Sequence, residues 1–226
     1  MLHQLVHETY LTDIINRNRV KNDSDLEELF KLLASTIGGL TNPTKLSNTF
    51  KSEKKISINS WTIKNYIDYF IDSFLLSRAI RYDIKGKKYI NTPCKYYFSD
   101  MGLRNALLDF RQVEPTYVME NILYNYLLEQ GYGVDVGVLQ HYSKDSKWKT
   151  QRSVLEIDFV CNRGGERVYV QSAYSLPDDE KLKQEQHSLT LTDDSFPKWI
   201  LTTDNIPAHQ LENGITLMNV FDYLLL

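Results

Sequence analysis

The stretch "NSWTIKNYIDYFIDSFLL" constrains this chain more than any other. Ile63, Tyr66, Ile67, Phe70, Ile71, Phe74 and Leu75 recur at i, i+3, i+4 spacing, which makes one side of a helix apolar along its whole length. Such a helix gains most of its stability by burying that side against neighbours. The flanking sequence supplies them. Upstream, "KNDSDLEELFKLLASTIGG" puts Leu26, Leu29, Phe30, Leu32 and Leu33 on one face, offers Asp23 or Ser24 as a cap, and meets a stop at Gly38–Gly39. "NPTKLSNTFKSEK" reads as a short helix from about Thr44 to Phe50, and Asn59 or Ser60 caps the helix that follows. Residues 3–20 read as a leading helix.

Downstream, "LLSRAIRYDIKGKKYINTPCKYYFSD" holds two strand-like runs around Lys85–Gly86–Lys87, and "SDMGLRNALL" a short helix capped near Ser99 or Asp100. Three short helices followed by a basic hairpin is the order of a winged helix, a helix-turn-helix variant whose recognition helix enters the DNA major groove. On that reading the third helix turns Thr62, Lys64, Asn65, Asp68, Tyr69 and Asp72 outward. Lys51, Lys54 and Lys55 precede it, and Lys85, Lys87 and Lys88 form the wing. Lysines suit phosphates, and Thr and Asn suit base edges, whereas Asp68 and Asp72 repel phosphate.

Charge is distributed to match. Residues 42–104 carry 12 Lys and Arg against 5 Asp and Glu, while residues 105–226 carry 10 against 18, within a net charge of −3. A basic segment followed by an acidic one fits two functional units.

From residue 111 the pattern changes. A helix from about Thr116 to Gln130 precedes the strand "YGVDVGVLQHYS", the polar loop "KDSKWKTQRS" and the hairpin "EIDFVCNRGGERVYVQSAYS", which turns at Gly164–Gly165. A helix "DDEKLKQEQHSLTLT", a strand "PKWILTTD", and a final strand and short helix in "GITLMNVFDYLLL" complete the chain. The order α, β, β, β, α, β describes a mixed-sheet α/β unit. The expected fold is therefore α/β overall, with residues 1–22 a leading helix, 23–110 a winged-helix domain and 111–226 an α/β domain.

Hydrolysis of phosphodiesters with Mg²⁺ needs carboxylate ligands and a group that activates water. Alternation places Glu156 with Asp158 on one strand face, and Tyr169, Gln171 and Ala173 together on the next strand; Glu120 precedes them on a helix. This spacing resembles the PD-(D/E)XK nucleases. The resemblance maps Glu120 onto the helical acid, Asp158 onto the strand acid, Gln171 onto the second acid and Ala173 onto the lysine. Gln171 brings no charge and Ala173 no amine, so the residues read as a degenerate site, with Glu120 and Asp158 the remaining metal candidates.

Other chemistries lack their motifs. There is no G-x-x-x-x-G-K-[ST] and no G-x-G-x-x-G, His3 and His7 stand i, i+4 without an H-E-x-x-H, and His141, His187 and His209 are scattered. Cys94 and Cys161 match no metal or redox spacing and read as reduced core thiols in a cytoplasmic protein. No apolar run reaches about 18 residues, so no membrane span is expected. The start, "MLHQLVHETYLTDIINRNRV", is interrupted by His, Glu, Asp and Arg and does not read as a signal peptide.

Strung together, "YLTDIINRNRVKN", "LEELFKLLASTIGGLTNPTKLSNTF", "MENILYNYLLEQGYGVDVG" and "EIDFVCNRGGERVYVQSAYSL" resemble the C-terminal region, carrying the DUF4143 domain, of a prokaryotic AAA+-like ATPase family. That resemblance implies a missing N-terminal ATPase module that binds ATP, with residues 1–22 its trailing helix. The function expected is a non-catalytic binding module for nucleic acid or a partner at the end of a P-loop ATPase, with DNA and that module as partners and no cofactor in this segment. The alternatives are a divergent Mg²⁺-dependent nuclease and a purely protein-binding module.

Overall fold

The computed structural model describes residues 10–112, 114–144 and 150–226. Most of the leading helix read over residues 3–20 lies outside them up to residue 9; its described part is α1, Thr12–Asn18. The chain forms two compact units. One comprises the described residues up to 79 together with 92–121, the other residues 80–91 with 122–226.

The first unit is built on the apolar periodicity. Helices α2 (Asp23–Ser35), α3 (Pro43–Thr49) and α4 (Ser60–Asp72) bury Leu26, Leu29, Phe30 and Leu33, then Leu46, then Ile63, Ile67 and Phe70. Phe30 stacks on Phe70 at 4.4 Å between ring centroids and on Phe98 at 5.2 Å, at or close to the offset-stacking range that adds to burial. The N–H of Lys45 donates to the Asn42 side chain and that of Thr62 to the Asn59 side chain, so both helices start on real caps. Helix α2 differs from expectation. Asp23 is already helical, Asn22 is the cap residue without a capping side-chain bond, and the helix ends at Ser35, ahead of the glycines. After α3 the chain makes a π turn, Phe50–Lys54, that buries Phe50.

Strands β1 (Leu76–Asp83) and β2 (Lys88–Phe98) form the hairpin, and α5 (Met101–Leu107) starts on Asp100. Arg104 is fully buried there. Its Nε donates to the Ala34 carbonyl, Nη1 to the Gln112 carbonyl and Nη2 to Glu114. Burial pulls the guanidinium below its ordinary pKa, and the Glu114 charge opposes that pull.

Helix α6 (Pro115–Glu129) and strands β3 (Gly133–Lys144), β4 (Thr150–Arg163) and β5 (Glu166–Ser172) follow. Then come α7 (Asp179–Thr190), β6 (Lys198–Thr202), β7 (His209–Gln210), β8 (Thr216–Asn219) and α8 (Val220–Leu224). The fold is mixed α/β, and the order α, β, β, β, α, β read from the sequence is found. The eight strands form one sheet in the order β2-β1-β3-β4-β5-β6-β8-β7. Strands β3, β4 and β5 are an antiparallel meander, and β6 lies parallel to β5. The two-residue β7 was not foreseen; it pairs antiparallel with β8.

One irregularity matters for the site. Between Asp135 and Gly137 the β3–β4 register shifts, because β4 spends three residues where β3 spends two. This bulge resets the alternation of β4. Leu155, Ile157 and Val160 consequently all join the apolar cluster of Leu139, Tyr169 and Leu189, which strict alternation would not allow. Gly137 fits there only because it lacks a Cβ, which would stand 2.8 Å from Val160 and 2.9 Å from Ile157. Cys94 and Cys161 are buried free thiols, and burial pushes both upward in pKa. Among the described residues no helix is long and apolar enough to cross a membrane.

Candidate nucleic-acid interface

The degenerate nuclease residues are each held by the protein itself. Glu120 lies in the first unit, where its Oε1 accepts from Lys95 Nζ at 2.8 Å and from the Tyr97 hydroxyl. The next residue, Asn121, pairs with both backbone groups of Phe98 at 2.7 Å, so this turn of α6 serves as a partner for β2.

Asp158, Gln171 and Ala173 lie in the second unit. The Asp158 carboxylate accepts the N–H of Ser172 at 2.9 Å, and the Gln171 side-chain oxygen accepts the N–H of Asp158 at 3.4 Å. Ala173, just past β5, is sealed in the apolar cluster with Leu189 and Ile200, so the position has an apolar environment. Among the described residues no three His, Cys, Asp or Glu side chains are grouped to hold a metal ion.

The wing lysines sit at the tip of the β1–β2 hairpin, in the second unit. The Asp83 carboxylate accepts the N–H of Gly86 and so shapes the turn. The hairpin is not a free wing, because β1 runs on into the sheet, pairing Arg81, Tyr82 and Asp83 with Val136, Gly137 and Val138 of β3. Lys85 accordingly meets Asp193 at 2.9 Å, and with Lys87 it borders a cavity of about 610 Å³ shared with Asp194 and Arg167. Arg167 lies 5.1 Å from the Tyr82 ring and 5.5 Å from that of Phe196. Lys88 is exposed at the start of β2.

The residues read onto α4 divide by helical phase. Trp61, Thr62, Asn65, Tyr66 and Tyr69 share a stripe that lines an open groove of about 650 Å³ in the first unit. Across it stand Asn18, Arg19, Lys21 and Asn22, at the end of α1 and the start of α2. Arg19 closes α1 in the left-handed conformation, φ 51°. Thr62 and Asn65 are thus brought together with two cations and an indole that is 70% exposed.

Lys64 falls on the neighbouring stripe and pairs with Asp68, which Arg78 also approaches at 3.7 Å. Asp25, the one carboxylate among the described residues that line the groove, accepts from the Asn22 amide at 2.8 Å. Lys54 pairs with Glu28 at 2.9 Å, while Lys51 and Lys55 are exposed on the π turn and at its left-handed end. Trp61 was missed from the sequence, although a signal was there: it is a large apolar residue one position out of phase with the buried stripe. Arg19 and Lys21 carried no such signal, because only the packing of α1 sets them opposite α4.

Comparison with known proteins bears on ancestry. The family whose model matches is the Domain of unknown function (DUF8612), over residues 1–114. That match overturns the resemblance to the DUF4143-bearing ATPase family, and the implied ATPase module and its ATP lose the ground they stood on. An "Uncharacterized protein" of Haemophilus influenzae is 35% identical over 215 residues, 95% of this chain and 49% of its own length. "Uncharacterized protein MJ1544" of Methanocaldococcus jannaschii is 22% identical over 184 residues, 81% of this chain and 38% of its own. The chain therefore spans about half the length, or less, of these relatives. No solved structure matches it.

Proposed function

The chain belongs to the DUF8612 family, and from the geometry of its own first unit we propose that it is a non-catalytic DNA-binding module whose contact surface is the groove beside α4. The observation that carries this reading is Trp61. It stands exposed on the first turn of a capped helix, shares its stripe with Thr62 and Asn65, and faces Arg19 and Lys21 across the groove.

That arrangement suits a helix presented by its N-terminal half to a major groove, the part of a recognition helix that reaches base edges. Asn65 offers the amide that pairs with adenine, Thr62 a hydroxyl and a methyl group, and Arg19, Lys21, Lys51 and Lys55 offer charge to phosphates. Of the two acidic residues that argue against the helix, Asp68 is engaged by Lys64 and Arg78, whereas Asp72 is exposed at the helix's last residue, away from the N-terminal half offered to DNA; Asp25, in the groove, is engaged by Asn22. The hydrogen bonds held by Glu120 and Asp158 support a structural role for these carboxylates over a catalytic one.

The test is titration of the chain with short DNA duplexes at several salt concentrations, read by mobility shift. Binding should weaken steeply with salt, and Arg19→Ala with Lys21→Ala should lower the salt slope by about 2. Asn65→Ala should relax sequence preference at a cost of about 1–3 kcal/mol. A chain that binds no duplex at low salt, or whose binding is indifferent to Trp61→Ala and Asn65→Ala, would end this reading.

A further inference from the structure

Strands β3 and β4 continue together past the sheet that holds them. Strand β1 pairs with β3 only as far as Val138, and the β4–β5 ladder stops at Phe159. The β3–β4 pairing runs on from Val138↔Glu156 through Gln140↔Val154 and Tyr142↔Arg152 to Lys144↔Thr150. The polar loop read over residues 144–153 is thus shorter than expected, and residues 145–149 lie outside the described residues.

The two faces of this ribbon differ. Directly opposed residues share a face, so His141 and Ser153 lie on one side. There His141 meets His187 of α7 at 5.3 Å, edge to face. On the other side lie Gln140, Tyr142, Lys144, Thr150, Arg152 and Val154. Tyr142 is 59% exposed and Val154 55%, and Arg152 and Lys144 are exposed beside them. Between Gln140 and Lys144, and between Thr150 and Leu155, there is no Asp or Glu; in the sequence Asp145 directly follows Lys144, and Glu156 follows Leu155 at the base. One face is therefore backed by a helix, and the other presents cations, an amide and an aromatic ring.

We propose that this β3–β4 ribbon is a second DNA-contacting element, entering the major groove of a duplex with its Tyr142–Arg152 face. The inference rests on the DNA-binding reading but uses residues that reading does not. A two-stranded ribbon about 5 Å between strands fits a groove about 12 Å wide and 8.5 Å deep. Its paired length of six residues beyond Val138 gives a reach of about 20 Å. Arg152 supplies guanine recognition or a phosphate contact, Gln140 supplies an amide, and Lys144 meets phosphate. The occupant is B-form DNA, because the deep, narrow major groove of A-form RNA does not admit side chains in this way.

The test compares the full chain with Lys144→Ala/Arg152→Ala, Arg152→Glu and Trp61→Ala, each titrated with a DNA duplex and an RNA duplex of the same sequence across a salt series. All the substituted side chains are exposed, and circular dichroism and melting of each variant verify that the fold is kept. The double variant is expected to lower the DNA salt slope by about 2 and weaken binding roughly tenfold or more at physiological salt, with Arg152→Glu weaker still. Unchanged affinity and slope in the double variant, with Trp61→Ala impaired, would overturn the ribbon and leave the α4 groove standing. Loss in the ribbon variants with Trp61→Ala unaffected would support the ribbon and count against the groove. Equal affinity for the RNA duplex, or no duplex binding by the native chain, would overturn the ribbon assignment.

Discussion

Lys95 Nζ lies 2.8 Å from Glu120 Oε1 with both side chains buried, at 5% and 7% exposure. The Tyr97 hydroxyl donates to the same oxygen. The pair fastens β2 to α6 inside the first unit, and Gly38 passes close enough that a Cβ there would stand 3.4 Å from Glu120 Oε2. Removing one member of a buried pair leaves the other charge uncompensated. Glu120→Ala should therefore destabilise the chain by about 3–5 kcal/mol in urea unfolding. Glu120→Leu combined with Lys95→Met should cost less than Glu120→Ala alone. A near-neutral Glu120→Ala would refute the structural role.

Asp158 makes a different demand. Its Oδ2 accepts a buried backbone N–H, an office that an amide oxygen fills as well as a carboxylate. Asp158→Asn should change stability by less than about 1 kcal/mol, and Asp158→Ala should cost about 1–3 kcal/mol by leaving the Ser172 N–H without that acceptor. A metal-dependent site would respond otherwise, with Mg²⁺ raising the melting temperature of the native chain and not of Asp158→Asn.

Phe74 follows α4 at φ 57° and is 84% exposed. Its N–H donates to Ile71 and that of Leu75 to Phe70, the pattern of a helix end normally closed by glycine. Phe74→Gly relieves the left-handed strain and gives up little packing, so it should stabilise the chain by up to about 1 kcal/mol in thermal unfolding. A clear loss of stability would show that the ring makes contacts worth more than the strain.

Asp135, beside the β4 bulge, has its carboxyl pushed above the ordinary range by burial, against the pull of Tyr89 and Arg167. Between the unfolded-state value near 3.8 and the higher folded value, the folded chain binds more protons than the unfolded one. Stability contributed by this group therefore falls as pH rises through that window. Asp135→Asn removes the effect. The variant should match the native chain below the ordinary aspartate range and exceed it at neutral pH, as followed by denaturant midpoints across pH. A gap that widens toward acid would reverse the sign and exclude this cause.

How legible these features were depends on the range of the forces involved. Helix α4 and its Asn59 cap were readable because period and capping are local, and Thr62 and Asn65 could be placed on its surface by phase alone. The β4 bulge left no trace in "EIDFVC", where apolar residues on both faces hide the phase. Nothing near Lys85 announces Asp193, 108 positions away, and nothing near Glu120 announces Lys95 and Tyr97. Candidate ligands were thus found by spacing, while their actual partners are set by the tertiary fold. The ribbon was hidden for a related reason: Lys144 and Thr150 are polar, and polarity alone reads as loop.

The parallel pairing of Arg81–Asp83 with Val136–Val138 has a bearing on inheritance and dissection. The two units are interlaced along the polypeptide, since residues 80–91 belong to the sheet-bearing unit although the sequence on both sides belongs to the helical one. The block recognised as the family domain, residues 1–114, carries within it a strand made for a sheet that lies mostly outside it. Expressed alone, that block would leave the β1 edge unclothed and prone to pair with another chain. The remainder, alone, would expose the complementary edge of β3. A single cut after residue 114 therefore leaves neither piece with the whole sheet, so the borders of the family block and of the folding body differ.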